Sequence, residues 1–554
     1  MKKVPTIFLA FLAVVLVNTV SNYVYQRFDL TEDQRFTLSQ ATLETTQNFR
    51  SPVVVDVLLD GDLPGEFARL QKETVLLLEQ FQAENGNIIY NRVDPLEEPE
   101  IRNETIANLQ QLGLRPASIT IEENGKTTQE LVFPWAMINY KNKTVKVPLL
   151  KNKLGATLEE RINNSVQNLE YAFADAFNKL QIVEKKKIAV LKGNGELADH
   201  YIADLLTNLK EYYNIGAITL DSTGKDALKL LHQLSAFDLA LIAKPTQAFT
   251  EKEKYVLDQY ILQGGKSLWM IDQVAMELDS LFNGTGSNVA LRKDLNLDDF
   301  FFKYGLRINP LLINDLYNTP IVLANGEASE SQYNPLPWVY HPMVFSKNDH
   351  PINNNIEAVR LQFANTIDTL ANDNKKTVLL QSSPLSKTER VPLQIGLDRV
   401  NAPLKKEDYP PNSGFPLAVL LEGKFSSAYL NRVKPIKLQE DLEKGKENKM
   451  IVIADGDIIK NQLQQGRPLE LGYDKWTGSS YGNKEFLVNC INYLLDDGGF
   501  INVRGKNVSI PVLDVEKVAG HKTKWRLLTI GMPLFLVLLA GGLQTYWRKR
   551  KFAA

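Results

Sequence analysis

Cysteine is almost absent from this chain. Cys490 is the only one among 554 residues, which excludes an intrachain disulfide framework. It falls in Glu485-Phe486-Leu487-Val488-Asn489-Cys490-Ile491, a helical pattern, where a small buried side chain is expected before a reactive thiol. Histidine is scarce too. His200, His232, His341, His350 and His521 show no metal-ligand spacing, so neither a zinc nor a haem site is expected, and no cofactor is implied. Neither sign of charge is in excess, with 63 Lys plus Arg against 65 Asp plus Glu, so nothing draws the whole chain toward nucleic acid. A nucleotide loop is also missing. Gly264-Gly265-Lys266-Ser267 looks like the end of a Walker A loop, but Tyr260 stands where the first glycine belongs. The segment also leads from a helix into a strand, the reverse of a P-loop, and reads as a helix C-cap. The chain is therefore not expected to hydrolyse ATP by itself.

What is present in quantity is apolar sequence at both ends. Residues 4–17 are apolar apart from Thr6, behind Lys2 and Lys3. Residues 527–543 form a second stretch, entered by Lys522, Lys524, Trp525 and Arg526 and followed by Tyr546, Trp547 and the basic run 548–551. With their aromatic flanks each reaches the roughly 20 residues that a membrane span needs. Transmembrane helices are expected over 4–25 and 526–547. The basic residues at the two extremes place both termini in the cytoplasm and the bulk in the periplasm, anchored in a bacterial inner membrane. Lys517, His521, Lys522, Lys524 and Arg526 argue the other way, but the tail is denser in charge. A cleaved signal peptide competes for the first stretch; Thr19-Val20-Ser21-Asn22 is a poor cleavage site, and no Cys follows to carry a lipid.

Between the ends, strand and helix patterns alternate, and the expected class is α/β. A small N-terminal α/β domain is expected over 30–150. It has a β-branched strand at 52–59, a helix over 65–84 with Phe67, Leu70, Val75, Leu78 and Phe81 on one face, and a strand at 88–93. Asn124-Gly125 marks a hairpin, and 145–147 an edge strand. The order is thioredoxin-like, but no C-x-x-C accompanies it, so a redox role is rejected. A long amphipathic helix, 157–181, fills a linker over 151–186. A larger doubly wound domain is expected over 187–510. In it a strand at 187–191 leads to a helix over 197–213, Thr250 caps a helix over 251–262, and strands follow at 267–272, 417–423, 450–455 and 500–504. The stretch 283–360 is rich in Asn and Pro and is expected to be a loop-bearing insertion. A linker, 511–525, precedes the last span.

Candidate site residues cluster at the predicted carboxyl ends of strands, where open α/β sheets bind ligands. Gly193, Asn194, Gly195 and Glu196 follow the first strand of the large domain, and glycines there let backbone approach a ligand at a helix N-terminus. Asp272, Asp455 and Asp457 follow later strands, so a cleft shared with Glu196 is possible on topology alone. Ordinary turn chemistry uses the same residue types, and both readings stay open. An acid–base pair of Glu196 with Asp272 or Asp455 would make a periplasmic glycan- or peptide-processing enzyme. An envelope scaffold is the other alternative, with the Pro-rich segment near Trp338 and His341 as its docking loop.

Two resemblances bear on these readings. The stretch 236–268 resembles the glutamine-amidotransferase-like α/β fold. In enzymes of that fold a Cys sits at a strand-to-helix elbow with a His partner; here Cys490 lies in a predicted helix, so a binding or scaffolding use is implied. The opening Phe28-Asp29-Leu30-Thr31 with Arg35-Phe36-Thr37-Leu38-Ser39, the 193–196 turn, Asp455-Gly456-Asp457, Tyr481-Gly482-Asn483-Lys484-Glu485-Phe486 and Arg504-Gly505-Lys506 together resemble one family. It is the GldG family of gliding-motility-associated ABC-transporter substrate-binding-type proteins of Bacteroidetes. The resemblance implies a non-catalytic subunit beside an ABC permease (GldF-like) and an ATPase (GldA-like), serving gliding and the surface-adhesin machinery. It offers no catalytic residues to carry over.

Overall fold

A computed structural model of the chain describes residues 37–123, 126–151, 155–220, 227–325, 332–346, 348, 350–354, 356–438, 441–496 and 522–552. It divides into a large unit, Met1–Asn507, and a small one, Val508–Ala554.

In the large unit, Ser39 caps a short helix α1 (Gln40–Gln47), and β1 (Val53–Val57) follows. β1 is almost pure valine, and its alternate residues Val53, Val55 and Val57 are fully buried, as a pleated strand with one core face requires. Helix α2 (Gly65–Glu84) crosses over to β2 (Ile88–Arg92), which pairs parallel to β1. After α3 (Arg102–Gln111) comes a separate hairpin of β3 (Ala117–Glu123) and β4 (Lys126–Val132); its expected Asn124-Gly125 turn lies outside the described residues. β5 (Trp135–Tyr140) and β6 (Lys143–Pro148) complete a four-stranded sheet of order β2-β1-β5-β6, antiparallel from β1 onward. Helix α4 (Leu158–Gln181) starts at a capping box of Thr157 and Glu160. Its Phe173 and Phe177 meet Phe81 of α2 and Phe49, with ring centroids 5.1 Å apart for Phe81–Phe177 and 5.4 Å for Phe49–Phe177.

A second, seven-stranded sheet forms the body. Along the chain come β7 (Lys187–Lys192), α5 (Asp199–Leu209), β8 (Asn214–Thr219), α6 (Ala227–Leu234), β9 (Leu239–Ala243), α7 (Glu251–Leu262) and β10 (Lys266–Met270). Thr250 and Glu253 form the capping box of α7. Helix α5 ends at Leu209 instead of running to 213, which leaves Tyr212 and Tyr213 in the turn before β8. Every residue of β9 is buried, the mark of a parallel strand covered on both faces. Ala240 and Ile242 join one core and Leu239, Leu241 and Ala243 the other.

β11 (Val274–Ala275) follows. The segment 283–360, which was expected to carry loops, is instead rich in strand: it contributes β12 (Ser287–Arg292), α8 (Asp298–Tyr304), β13 (Leu306–Asp315), β14 (Asn318–Asn325), β15 (Gln332–Val344) and β16 (Val359–Arg360). β17 (Asn365–Thr369), β18 (Lys375–Gln381), β19 (Ser386–Arg390), β20 (Leu393–Gly396), β21 (Pro416–Ser426) and β22 (Lys444–Ile453) follow. Three small sheets, β11-β12-β20, β17-β13-β19 and β14-β15-β16, stand beside the main one. The prolines fit because Pro320, Pro335 and Pro337 lie where β15 pairs with β14 alone, β16 joining β15 only at Met343 and Val344, so the other edge there needs no donor. The main sheet runs β18-β21-β22-β10-β9-β7-β8, with β22 through β8 parallel, β21 antiparallel to β22, and β18 antiparallel to β21. Helix α9 (Asn483–Leu495) carries Cys490, fully buried, with burial pushing its thiol up. The expected strand 500–504 lies outside the described residues.

Trp338 and His341 do not form a docking loop. Both are buried in β15, where Trp338 packs with Tyr340 and Phe363. Burial, and then the Arg360 guanidinium, hold the His341 imidazole well below its usual range.

In the small unit a continuous helix, α10, runs over Lys522–Lys551, with a π-helical turn at Leu527–Gly531. Among the described residues it is the one helix long and apolar enough to cross a membrane. The expected first span, 4–25, lies outside the described residues. The two-span topology with cytoplasmic termini therefore does not follow from the structure.

Trp338→Ala should leave a cavity and cost about 3–5 kcal/mol. A lowered unfolding midpoint in denaturant would show it; an unchanged midpoint would contradict the burial.

Candidate functional site

The carboxyl ends of β9, β10 and β22 lie side by side in the main sheet, and the charges gather there. Lys244 follows β9, Asp272 follows β10, and Asp455 and Asp457 follow β22. The Lys244 ammonium lies 2.6 Å from Asp457 Oδ1, 2.5 Å from Glu277 Oε1 and 3.5 Å from Asp272 Oδ2. Lys293 adds a contact to Asp272 at 3.7 Å, and Lys460 reaches Glu277 at 3.5 Å and Asp457 at 3.7 Å. The Lys244, Asp272 and Asp457 side chains are almost wholly buried, while Glu277 is 43% exposed, so the cluster opens to solvent on the Glu277 side.

Backbone geometry fixes this arrangement. Lys244 has φ of 54°, a left-handed conformation that costs a non-glycine residue energy and persists where the surroundings enforce it. Gly456 donates its N–H to Asp272 Oδ1 at 2.5 Å and packs so closely on Lys244 that a Cβ would strike the lysine stem. Asp455 is held by N–H groups of Gln362 at 2.6 Å and Asp457 at 2.7 Å.

The charges perturb one another. Burial works to lower the Lys244 pKa, but Asp272, Asp457 and Glu277 outweigh it and hold the ammonium well above the ordinary lysine value. Burial and then the neighbouring Asp457 and Asp272 push Asp455 well above the usual carboxylate range, against its two backbone donors. Asp272, Glu277 and Asp457 bring carboxylate oxygens within 4.8 Å of one another, a spacing that could hold a divalent cation. Lys244 sits among them, and Lys293 and Lys460 also reach these carboxylates.

The 193–196 turn is a neighbour with its own partners. Gly193 and Gly195 have φ of 117° and 73°, so both glycines are used for backbone conformation. The Asn194 carbonyl accepts from Thr246 and Gln247 N–H, both at 2.9 Å, which ties the turn to the segment just after Lys244. Glu196 Oε2 accepts from Asn194 N–H at 2.9 Å, and burial raises its pKa against that help. The structure thus brings Asp272, Asp455 and Asp457 into one cluster and gives Glu196 to the turn. Sequence reading missed Lys244, Glu277, Lys293 and Lys460. The signal for Lys244 was a charge directly after the all-apolar strand 239–243.

The family described as an ABC-type uncharacterized transport system matches residues 185–490, more than half of the chain, and those residues include every candidate site residue. The chain belongs to this family. Membership carries a transporter-associated role and implies partner transporter subunits. A domain of unknown function, DUF7088, matches residues 32–139, so that α4 lies between the two matched segments. Among solved structures the chain is similar to the mmIFT52 N-terminal domain at 13% identity and a TM-score of 0.33, over 56% of this chain and 99% of that one. No curated protein matches.

Two outcomes test the cluster. Lys244→Met removes the partner of buried Asp272 and Asp457 and should cost about 3–5 kcal/mol in denaturant unfolding; a near-neutral effect would show that the pairs do not hold the fold. Asp455 has a folded-state pKa above its unfolded value, so its contribution is complete in acid and is lost as pH rises through the folded value. Melting curves from about pH 4 upward should therefore show wild type losing stability relative to Asp455→Asn. Parallel curves would count against the shift.

Proposed function

We propose that the chain is a non-catalytic, membrane-anchored subunit of an ABC-transporter-like complex, of GldG type. In this reading it works with a GldF-like permease and a GldA-like ATPase in gliding motility and the surface-adhesin machinery. The carrying observation is the family match over 185–490 in the same chain as the span-length helix Lys522–Lys551. The body would stand in the periplasm, between α10 and a first anchor at 4–25, with both termini cytoplasmic. The thioredoxin-like order of the small sheet and the doubly wound, amidotransferase-like body would serve binding or scaffolding.

The site's electrostatics support a non-catalytic use. Acid–base catalysis asks for a carboxyl group able to exchange a proton with substrate. Asp272 and Asp457 are instead engaged by a buried lysine, and Asp455, although its carboxyl is pushed up, has no exposed surface at which to meet a substrate. A ligand cleft, if the subunit has one, would lie over Gly193, Asn194, Gly195, Glu196, Asp272, Asp455 and Asp457.

Affinity purification of the tagged full-length protein from its own host in mild detergent tests the reading. An ABC permease and an ATPase should come with it in comparable amounts, identified by mass spectrometry. Recovery of the protein alone, under conditions that keep ABC complexes intact, would overturn it.

A further inference from the structure

A second site candidate lies away from the strand ends, where α4 meets the body. A cavity of about 220 Å³ opens there, walled by Tyr171, Tyr212 and Tyr213 and edged by Asp175, Asn492 and Asp496. The early end of α5 provides two of these walls, since Tyr212 and Tyr213 stand in the turn before β8. The Tyr212 hydroxyl donates to Asp175 Oδ2 at 2.8 Å, and that of Tyr213 to Asn492 Oδ1 at 2.8 Å. With its hydroxyl held at the edge, Tyr213 is left to present ring surface, while Tyr212 already has the Lys179 ammonium over one face. The two rings are 5.8 Å apart and inclined by 30°. Burial first, and Asp175 next, push both phenols up, so they remain neutral donors.

The charge around the cavity has a sign. Asp175, Glu184 and Asp496 line it, against Lys186, whose ammonium is bound to the Leu495 carbonyl at 2.7 Å. Lys179 offsets one more carboxylate through Asp175 at 3.3 Å, and is shared with Glu211 at 2.9 Å. Three carboxylates facing two ammonium groups leave negative charge in excess. Lys179 also shows what the seam accepts: its ammonium lies over the Tyr212 ring, 4.4 Å from the centroid. Aromatic faces with carboxylates at their edge recognise organic cations through the ring quadrupole and the net charge together.

We propose that this tyrosine-walled cavity binds an organic cation, an alkylammonium or a guanidinium, presented by a small molecule or by a basic side chain of a partner. Filling it would bridge α4 and the body, because Tyr171 and Asp175 belong to one and Tyr212, Tyr213 and Asn492 to the other. The site would take its cation whether or not the chain works beside a permease.

Calorimetric titration of the full-length, detergent-solubilised protein tests this with choline, its uncharged tert-butyl analogue and arginine amide. At least one of the two cations should give a saturable isotherm, with the uncharged analogue roughly tenfold weaker. Choline ahead of arginine amide would point to a free alkylammonium, and the reverse order to a guanidinium on a partner; either supports the site. Tyr213→Leu and Asp496→Asn should each weaken binding by about fivefold or more in variants that still unfold cooperatively. If Tyr213→Leu fails to fold, Asp496→Asn carries the comparison. Equal binding of the uncharged analogue, no saturable isotherm with either cation, or full affinity in a folded variant would overturn the proposal.

Discussion

The constraint on which the body depends is two-sided burial of its parallel sheet. A strand covered by helices or further sheets on both faces has no solvent side on which to place a charge. β9 obeys this completely, and the buried stretch of β10, Ser267–Met270, nearly so. Polar groups are driven to the strand ends, and since the strands run parallel, their carboxyl ends fall along one edge. The concentration of Lys244, Asp272, Asp455 and Asp457 there is a result of topology before it is one of function.

Once gathered, those groups cannot be left alone. A buried ammonium or carboxylate without a partner is costly, whereas a well-made pair can come close to neutral against apolar packing. The cluster satisfies the condition with one central lysine, carboxylates from two chain segments and backbone N–H donors. Gly456 is part of the same solution, since its missing side chain is what lets the lysine stem pass. A left-handed lysine and a glycine without spare room are the local strain accepted to bring opposite charges together.

Much of the architecture was legible in the sequence because it is written in periodicity. The valines of β1, the aromatic face of α4 and the Thr250 cap with Glu253 three residues on are local signals of local structure. The segment 283–360 was misread for a reason equally local. Asn and Pro advertise loops, but proline costs a ladder nothing where its missing donor would face away from a partner strand, and only pairing in three dimensions reveals which positions those are. The end of α5 was overestimated because Tyr212 and Tyr213 continue an apolar pattern while packing on another element. At the site, the aspartates could be named from their places after strands. Their partner could not, because an ion pair between residues as far apart as Lys244 and Asp457 leaves no trace in spacing.

The enclosure of Lys244 carries a consequence for the medium in which the protein operates. Mobile ions weaken attraction between exposed charges over about 10 Å at ordinary ionic strength, but they penetrate a packed interior poorly. The Lys244–Asp272 and Lys244–Asp457 pairs, with side chains at most 5% exposed, are sheltered in this way, while Arg307–Asp368 and Arg292–Asp298 on the surface are not. Dilution or salting of the surroundings would thus retune the outer surface of the molecule and leave the electrostatic landscape at the strand ends nearly constant.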